Sequence, residues 1–204
     1  MTARTTAIII ALMIFALDWY GMHTGLTQGL DEQVAHWAMD FRKEIPKALI
    51  VFITNMNEPS GTVSFIIAAL AILVIVRRYR EALYFFVASF GAAALNVYLK
   101  ALIMRPRPPY MIIEKTNYSF PSGHANASMA MAIGLYFIVR SIRGNGMGAI
   151  LILGLGLFWT GIIGFTRLYL GVHWFSDIVA GWMMGLAWAT ITALLFFKTD
   201  KERP

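Results

Sequence analysis

Two long uncharged runs constrain this chain more than any other feature. Residues 147–165 carry no ionisable side chain, and neither do residues 178–197. At about 1.5 Å of helical rise per residue, each run reaches roughly the 30 Å thickness of a bilayer's hydrocarbon core. Between them lies the stretch 166–177, with Arg167, His173 and Asp177. Ionisable groups near bilayer depth cost about 2.5–3.5 kcal/mol each on insertion scales, so they point to function by default. A helix starting near Val172 would set His173 and Asp177 four residues apart on one face. There the carboxylate would orient the imidazole and stabilise its charge.

The totals agree with a membrane setting. The chain is 58% hydrophobic and 14% charged, against about 45–50% and about 25% for soluble domains. Its apolar residues come in blocks rather than short alternations. The expected fold is all-α: a polytopic membrane protein, a six-transmembrane-helix bundle forming one domain over residues 1–204. The spans are read at 5–20, 62–76, 82–99, 121–139, 147–165 and 178–197. The apolar run 7–17 has the length of a signal-peptide core, but Asp18-Trp19-Tyr20 follows it instead of a small-residue cleavage site, so a retained first span is expected. Between spans one and two, residues 21–59 form the longest polar connection. Val34, Trp37, Met39 and Phe41 suit an interfacial helix there. Pro121 fits the first turn of span four. The glycines of spans five and six, among them Gly154, Gly156, Gly161, Gly164, Gly181 and Gly185, are expected at close helix contacts.

The formal charge of +6 has a membrane explanation, and no nucleic-acid partner is expected. With six spans, both termini share one side with the turns 77–81 and 140–146. That side collects Arg4, Arg77, Arg78, Arg80, Arg140, Arg143, Lys198, Lys201 and Arg203, against Glu81, Asp200 and Glu202. The positive-inside rule then sets the termini in the cytoplasm, in a multi-pass protein of the cell membrane. The loop 100–124 and the turn 166–177 share the outer face. With no cysteine in the chain, disulfides, thiolate catalysis and cysteine metal sites are excluded.

Three clusters meet on that face. Lys100 and Arg107, the latter on a proline-stiffened loop, suit a phosphate as point-charge and forked donors; either alone would also fit a snorkelling interfacial side chain, the reading kept for Arg105 and Lys115. Asn96, one turn before Lys100, is either a supporting partner or helix-packing glue. Pro121-Ser122-Gly123-His124 brings the amides of Ser122 and Gly123 to a helix N-terminus, where free N–H groups and the helix dipole bind anions, and adds a titratable ring; a plain capping turn is its other reading. Arg167, His173 and Asp177 form the third, with a structural hydrogen bond as the alternative. His23 and His36 have no motif partner and are read as interfacial.

Lys100-x6-Arg107-Pro108, Pro121-Ser-Gly-His124 and Arg167-x5-His173-x3-Asp177 resemble the three signature motifs of the type-2 phosphatidic acid phosphatase superfamily. That superfamily comprises lipid phosphate phosphatases, with relatives among bacterial acid phosphatases and vanadium haloperoxidases. Order, spacing and a six-helix setting all match; Thr166 stands where the family usually has serine, which keeps the hydroxyl. The resemblance implies that His173 attacks phosphorus to form a phosphohistidine while Asp177 holds its ring. His124 would protonate the leaving oxygen and then activate water. Lys100, Arg107, Arg167, the Ser122 side chain and the Gly123 amide would hold the phosphoryl oxygens. Fixed cations take a metal's place, so neither metal nor other cofactor is expected.

The reading is a membrane phosphatase acting at the outer face on a lipid phosphate or pyrophosphate, with undecaprenyl pyrophosphate, phosphatidylglycerophosphate and phosphatidic acid as candidates. Its expected partners are that substrate and membrane lipids, with no obligatory protein partner. Two alternatives stand beside it: a lipid-to-lipid phosphotransferase, and a transporter or lipid-binding protein whose buried charges line a path.

Overall fold

The computed structural model describes residues 2–144 and 146–197. Every regular element among them is helical. α1 covers Ala3–Thr24 and α2 Gln28–Asp40, with a 3-10 turn at Phe41–Lys43 after it. α3 is Lys47–Asn55, α4 Pro59–Ile75 and α5 Tyr79–Ile103. α6 is Gly123–Arg143, α7 Met147–Tyr169 and α8 Phe175–Phe196.

Helices α1, α5, α6, α7 and α8 are each long and apolar enough to cross a membrane. The remaining span is built differently from the expectation. α4 has 17 residues, about 25 Å of helix, and reaches crossing length together with α3, from which it is bent by 41°. Pro59 stands at the first turn of α4, a position where a helix can restart because proline's missing N–H is not needed. The 21–59 connection therefore holds two helices. α2 is the expected interfacial one, and it packs on α7 and α8 through a face containing Asp31, Ala35 and Ala38. α3 packs on α7.

α6 is the hub, packed against α5, α7 and α8, while α1 leans on α8 from outside. In the apolar window of α6, 67% of residues are buried, against 11% in α1. Ile10, Leu12, Met13 and Leu17 of α1 and Leu151, Leu155 and Phe158 of α7 are exposed, as suits side chains facing lipid. In lipid, apolar surface gains nothing by leaving the solvent, so helices associate through close packing of small residues. Ala125, Ala130, Ala132 and Gly134 of α6 and Ala180, Gly181, Gly185 and Ala189 of α8 are buried accordingly. A Cβ on Gly181 would lie 2.5 Å from the Ser122 carbonyl oxygen, and one on Gly185 2.5 Å from that of Asn126, so α8 approaches the start of α6 closely at both glycines. Gly156 and Gly164 are tight in the same way, but Gly154 and Gly161 face open space, contrary to expectation. Polar bonds add to this packing, with Asn126 donating to the Ala92 carbonyl at 3.0 Å and Tyr84 to that of Ala189 at 3.2 Å. Each contributes about 0.6 kcal/mol in a membrane, so packing dominates.

Arg4 donates to the Phe197 carbonyl at 2.8 Å, and the Arg80 guanidinium lies 5.2 Å from the Phe197 ring centre. The start of α1, the end of α8 and the α4–α5 turn thus share one end of the bundle. Lys198, Lys201 and Arg203 of the expected basic side lie outside the described residues. At the other end α5 and α7 finish and α6 and α8 begin.

Candidate active site

The loop 104–122 is tied to itself before it holds anything else. Ser119 donates from its amide to the Arg105 carbonyl at 2.9 Å and from its hydroxyl to that of Pro106 at 3.0 Å. Against this frame Lys100 donates to the carbonyls of Tyr118, at 2.9 Å, and Ser119, at 3.0 Å. An ammonium has three donors, so one remains. Arg107 spends Nε on the Asn117 carbonyl at 2.7 Å, and other donors on the Asn117 side chain and the Val172 carbonyl.

Two expected helix starts fall later in the chain. α6 begins at Gly123 with Ser122 as its N-cap, so Pro121 precedes the helix instead of opening it. The Ser122 amide donates to the Asp177 carbonyl at 2.8 Å, which leaves the amides from Gly123 onward as the free first turn of a helix. The Ser122 hydroxyl is buried without a protein partner. α8 begins at Phe175, so His173 lies before the helix rather than on its face. The pair forms by another route: Asp177 turns back to accept from the Trp174 amide at 2.9 Å, which brings the same oxygen, Oδ2, 3.2 Å from His173 Nδ1. Gly171 makes the preceding turn, with φ +67 and the Tyr110 carbonyl oxygen 2.5 Å from where a Cβ would be. A side chain is excluded there both by conformation and by space.

One cavity of about 590 Å³ gathers Lys100, Arg107, Gly123, His124, Arg167 and His173 on its lining. Arg167 is 1% exposed and donates to the Thr54 hydroxyl at 2.8 Å, while its Nε has no protein partner. Thr166 directs its hydroxyl to the Ile163 carbonyl at 2.7 Å and to Thr54 at 3.2 Å. With Nδ1 facing Asp177, His173 Nε2 stands 3.4 Å from Arg107. Burial, with the charges of Arg167, Lys100 and Arg107 near it, holds His173 well below the usual histidine range. The ring is neutral at neutral pH, and when Nδ1–H donates to Asp177 the lone pair is on Nε2, facing Arg107. His124 Nε2, buried and without a hydrogen-bond partner, lies 3.5 Å from the Glu58 carboxylate. Among the described residues, no three His, Asp or Glu side chains meet as a metal-binding group.

The cavity continues away from these charges along Val63 and Ile66 of α4, Phe90, Ala93 and Val97 of α5, and Met131 of α6. Asn96 lines it too, donating to the Pro121 carbonyl at 3.2 Å and resting its Oδ1 3.1 Å from where a Gly123 Cβ would be.

Four charged residues at this end had no distinguishing mark in the sequence. Arg105 does not snorkel: its side chain is 12% exposed and bridges Asp31 at 2.7 Å and Asp177 at 2.6 Å. Lys115 pairs with Glu58 at 3.0 Å. Asp31 and Glu58 come from the 21–59 connection, so only the folded chain brings them here.

The PAP2 superfamily model matches residues 81–201, which contain all three clusters. The chain belongs to the PAP2 superfamily. It is 27% identical over 187 residues to phosphatidylglycerophosphatase B of Bacillus subtilis, covering 91% of this chain and 89% of that protein. It is 32% identical over 123 residues to undecaprenyl-diphosphatase of Sulfolobus acidocaldarius, covering 56% and 55%. The crystal structure of a transmembrane PAP2-type phosphatidylglycerolphosphate phosphatase from Bacillus subtilis superposes with a TM-score of 0.85, over 96% of this chain and 98% of that one, at 23% identity. This PAP2 protein is therefore a multi-pass membrane protein. Asp31 of α2, Thr54 of α3 and Glu58, the N-cap of α4, lie outside the matched stretch.

Proposed function

We propose that this membrane lipid phosphatase hydrolyses a lipid phosphate or pyrophosphate through a phosphohistidine on His173. One observation carries the reading: a single cavity joins Lys100, Arg107, Arg167 and two histidines to an apolar wall from α4, α5 and α6. A phosphate fits the first part and a hydrocarbon chain the second. Val63 and Val97 on that wall are 38% and 68% exposed, so the wall reaches the lipid-facing surface. A soluble phosphate ester would have no use for it.

In this reading the His173 Nε2 lone pair attacks phosphorus, the P–N bond forms, and the P–O bond to the leaving group breaks. His124 gives its proton to the departing oxygen. A water then attacks phosphorus while His124 takes its proton, and the P–N bond breaks to release inorganic phosphate. The Gly123 amide and the three cations hold the nonbridging oxygens as charge redistributes. The Ser122 hydroxyl, buried without a partner, is the further donor proposed for them. The full chain acts as one phosphatase domain in the plasma membrane, with its active site outward, and needs no obligatory protein partner. Substrates in the class of undecaprenyl pyrophosphate, phosphatidylglycerophosphate and phosphatidic acid meet these requirements, and the names of the two relatives favour the first two.

Phosphate release from a panel of these purified lipids, without an acceptor lipid, tests hydrolysis directly. Substrate labelled in the transferred phosphate should leave an acid-labile phosphoenzyme on the wild-type chain and none on His173→Ala. Label persisting in that variant assigns the nucleophile elsewhere, and release that depends on a second lipid makes the protein a phosphotransferase.

A further inference from the structure

Resting on the assignment of His173 as nucleophile, we propose that Arg105 and Asp31 form a positioning pair that fixes the Asp177 carboxylate and, through it, the attacking ring. Neither residue lines the phosphate cavity; both line a separate cavity of about 380 Å³. Their action is therefore transmitted and not direct.

Asp177 is fully buried, and a carboxylate there needs compensating charge and hydrogen bonds on both oxygens. His173 and the Trp174 amide occupy Oδ2. Arg105 Nη1 takes Oδ1 at 2.6 Å, so the carboxylate cannot rotate about its own axis without losing a charged bond. Arg105 is held in turn. Nη2 donates to Asp31 Oδ2 at 2.7 Å and Nη1 also to the Ser176 hydroxyl at 2.7 Å, with the guanidinium carbon 5.5 Å from the Trp174 ring centre. Asp31 closes the circuit by accepting from the Ser176 amide at 2.8 Å and hydroxyl at 2.7 Å. That amide belongs to the first turn of α8, where a carboxylate is favoured by the helix dipole. A guanidinium bridges two carboxylates with its planar fork; an ammonium of similar charge reaches them only as a point. The interfacial helix α2 thereby sets the angle of the nucleophile.

The test uses the full chain in detergent, comparing Arg105→Lys, Arg105→Gln and Asp31→Asn with His173→Ala. Arg105→Gln should lower kcat about 100-fold, and Arg105→Lys and Asp31→Asn about tenfold, the range expected when a supporting hydrogen bond or a reacting group's position is lost. KM should stay within about threefold, because the phosphate ligands are untouched. Vanadate, which would mimic the transition state by bonding to the attacking nitrogen, should inhibit less in proportion to kcat. Inorganic phosphate, which needs only the cations, should inhibit as before. Should Arg105→Gln fail to fold, the two milder variants decide. The pair is refuted if both keep kcat within about twofold, or if phosphate and vanadate inhibition fall together, as a loosened pocket would make them. Full turnover by His173→Ala would instead remove the nucleophile assignment, and the positioning role with it. An inactive His173→Ala beside undiminished Arg105→Lys and Asp31→Asn would refute the pair alone.

Discussion

Burial and three surrounding cations hold the His173 ring neutral, and this has a measurable consequence for stability. Its pKa is depressed on folding, so below the ordinary value of about 6.5 the unfolded chain binds a proton that the folded chain refuses. The neutral ring's contribution is complete above that pH and is lost as the pH falls, by at most about 1.4 kcal/mol per pH unit. Thermal unfolding of the detergent-solubilised protein between pH 7.5 and 5 should show this decline, and His173→Gln should flatten it; an unchanged slope would mean the ring protonates in the folded state. In the proposed mechanism His124 is the general acid, and Glu58, 3.5 Å from its Nε2, would stabilise the imidazolium that the proton transfer requires. Glu58→Gln should cut turnover of an alkyl phosphate lipid about tenfold, a fraction of the 10²–10⁴ typical of proton transfer. It should barely affect p-nitrophenyl phosphate, whose leaving group needs no proton. Equal losses on both substrates would sink the idea. Lys100, Arg107, His124, Arg167 and His173, which one cavity gathers, could be proposed together from the sequence because short, fixed spacings carry them. Glu58 could not, since nothing local ties it to a histidine in another helix.

The helices themselves show what kind of information a sequence holds. Uncharged length marked five crossings, because a span must satisfy its backbone internally and exclude charge over about 30 Å. The expected second span, 62–76, matches α4 but misses α3, which meets α4 at a bend, and the starts of α6 and α8 differ from expectation by two or three residues. Helix contacts were half legible. Small residues mark close approach in general, yet only the packed structure separates Gly181, which a Cβ would drive into the Ser122 carbonyl, from Gly154, which faces open space. Backbone cannot yield as a side chain end can, so Gly181→Ala should push α8 from the start of α6. We expect a loss of about 1–3 kcal/mol in stability and at least a tenfold fall in kcat, since Ser122 forms that contact and its amide binds the Asp177 carbonyl. Gly154→Ala should leave both unchanged. Equal losses from the two substitutions would show that the close approach to Ser122 is not what Gly181 serves.

At the scale of the whole molecule, charge is divided between the two ends of the bundle. At the site end it is largely internal: Arg105 is neutralised by Asp31 and Asp177, and Lys115 by Glu58. The other end gathers Arg4, Arg77, Arg78, Arg80, Arg140 and Arg143 with Glu81 among the described residues. The proposed orientation follows from retention of basic residues on the cytoplasmic side, which would set this end inside and open the cavity at the outer leaflet. In that orientation a lipid whose phosphate lies in the outer leaflet would enter along the α4–α5 wall without crossing the membrane. The chain has no cysteine, so a single introduced thiol reports its own side. Thr116 is exposed on the loop 104–122 and Gly146 on the turn before α7. In intact cells a membrane-impermeant maleimide should label Thr116→Cys and should reach Gly146→Cys only after permeabilisation. The reverse pattern would turn the active site to the cytoplasm, and equal labelling of both before permeabilisation would mean that the charge difference does not hold the bundle in one orientation.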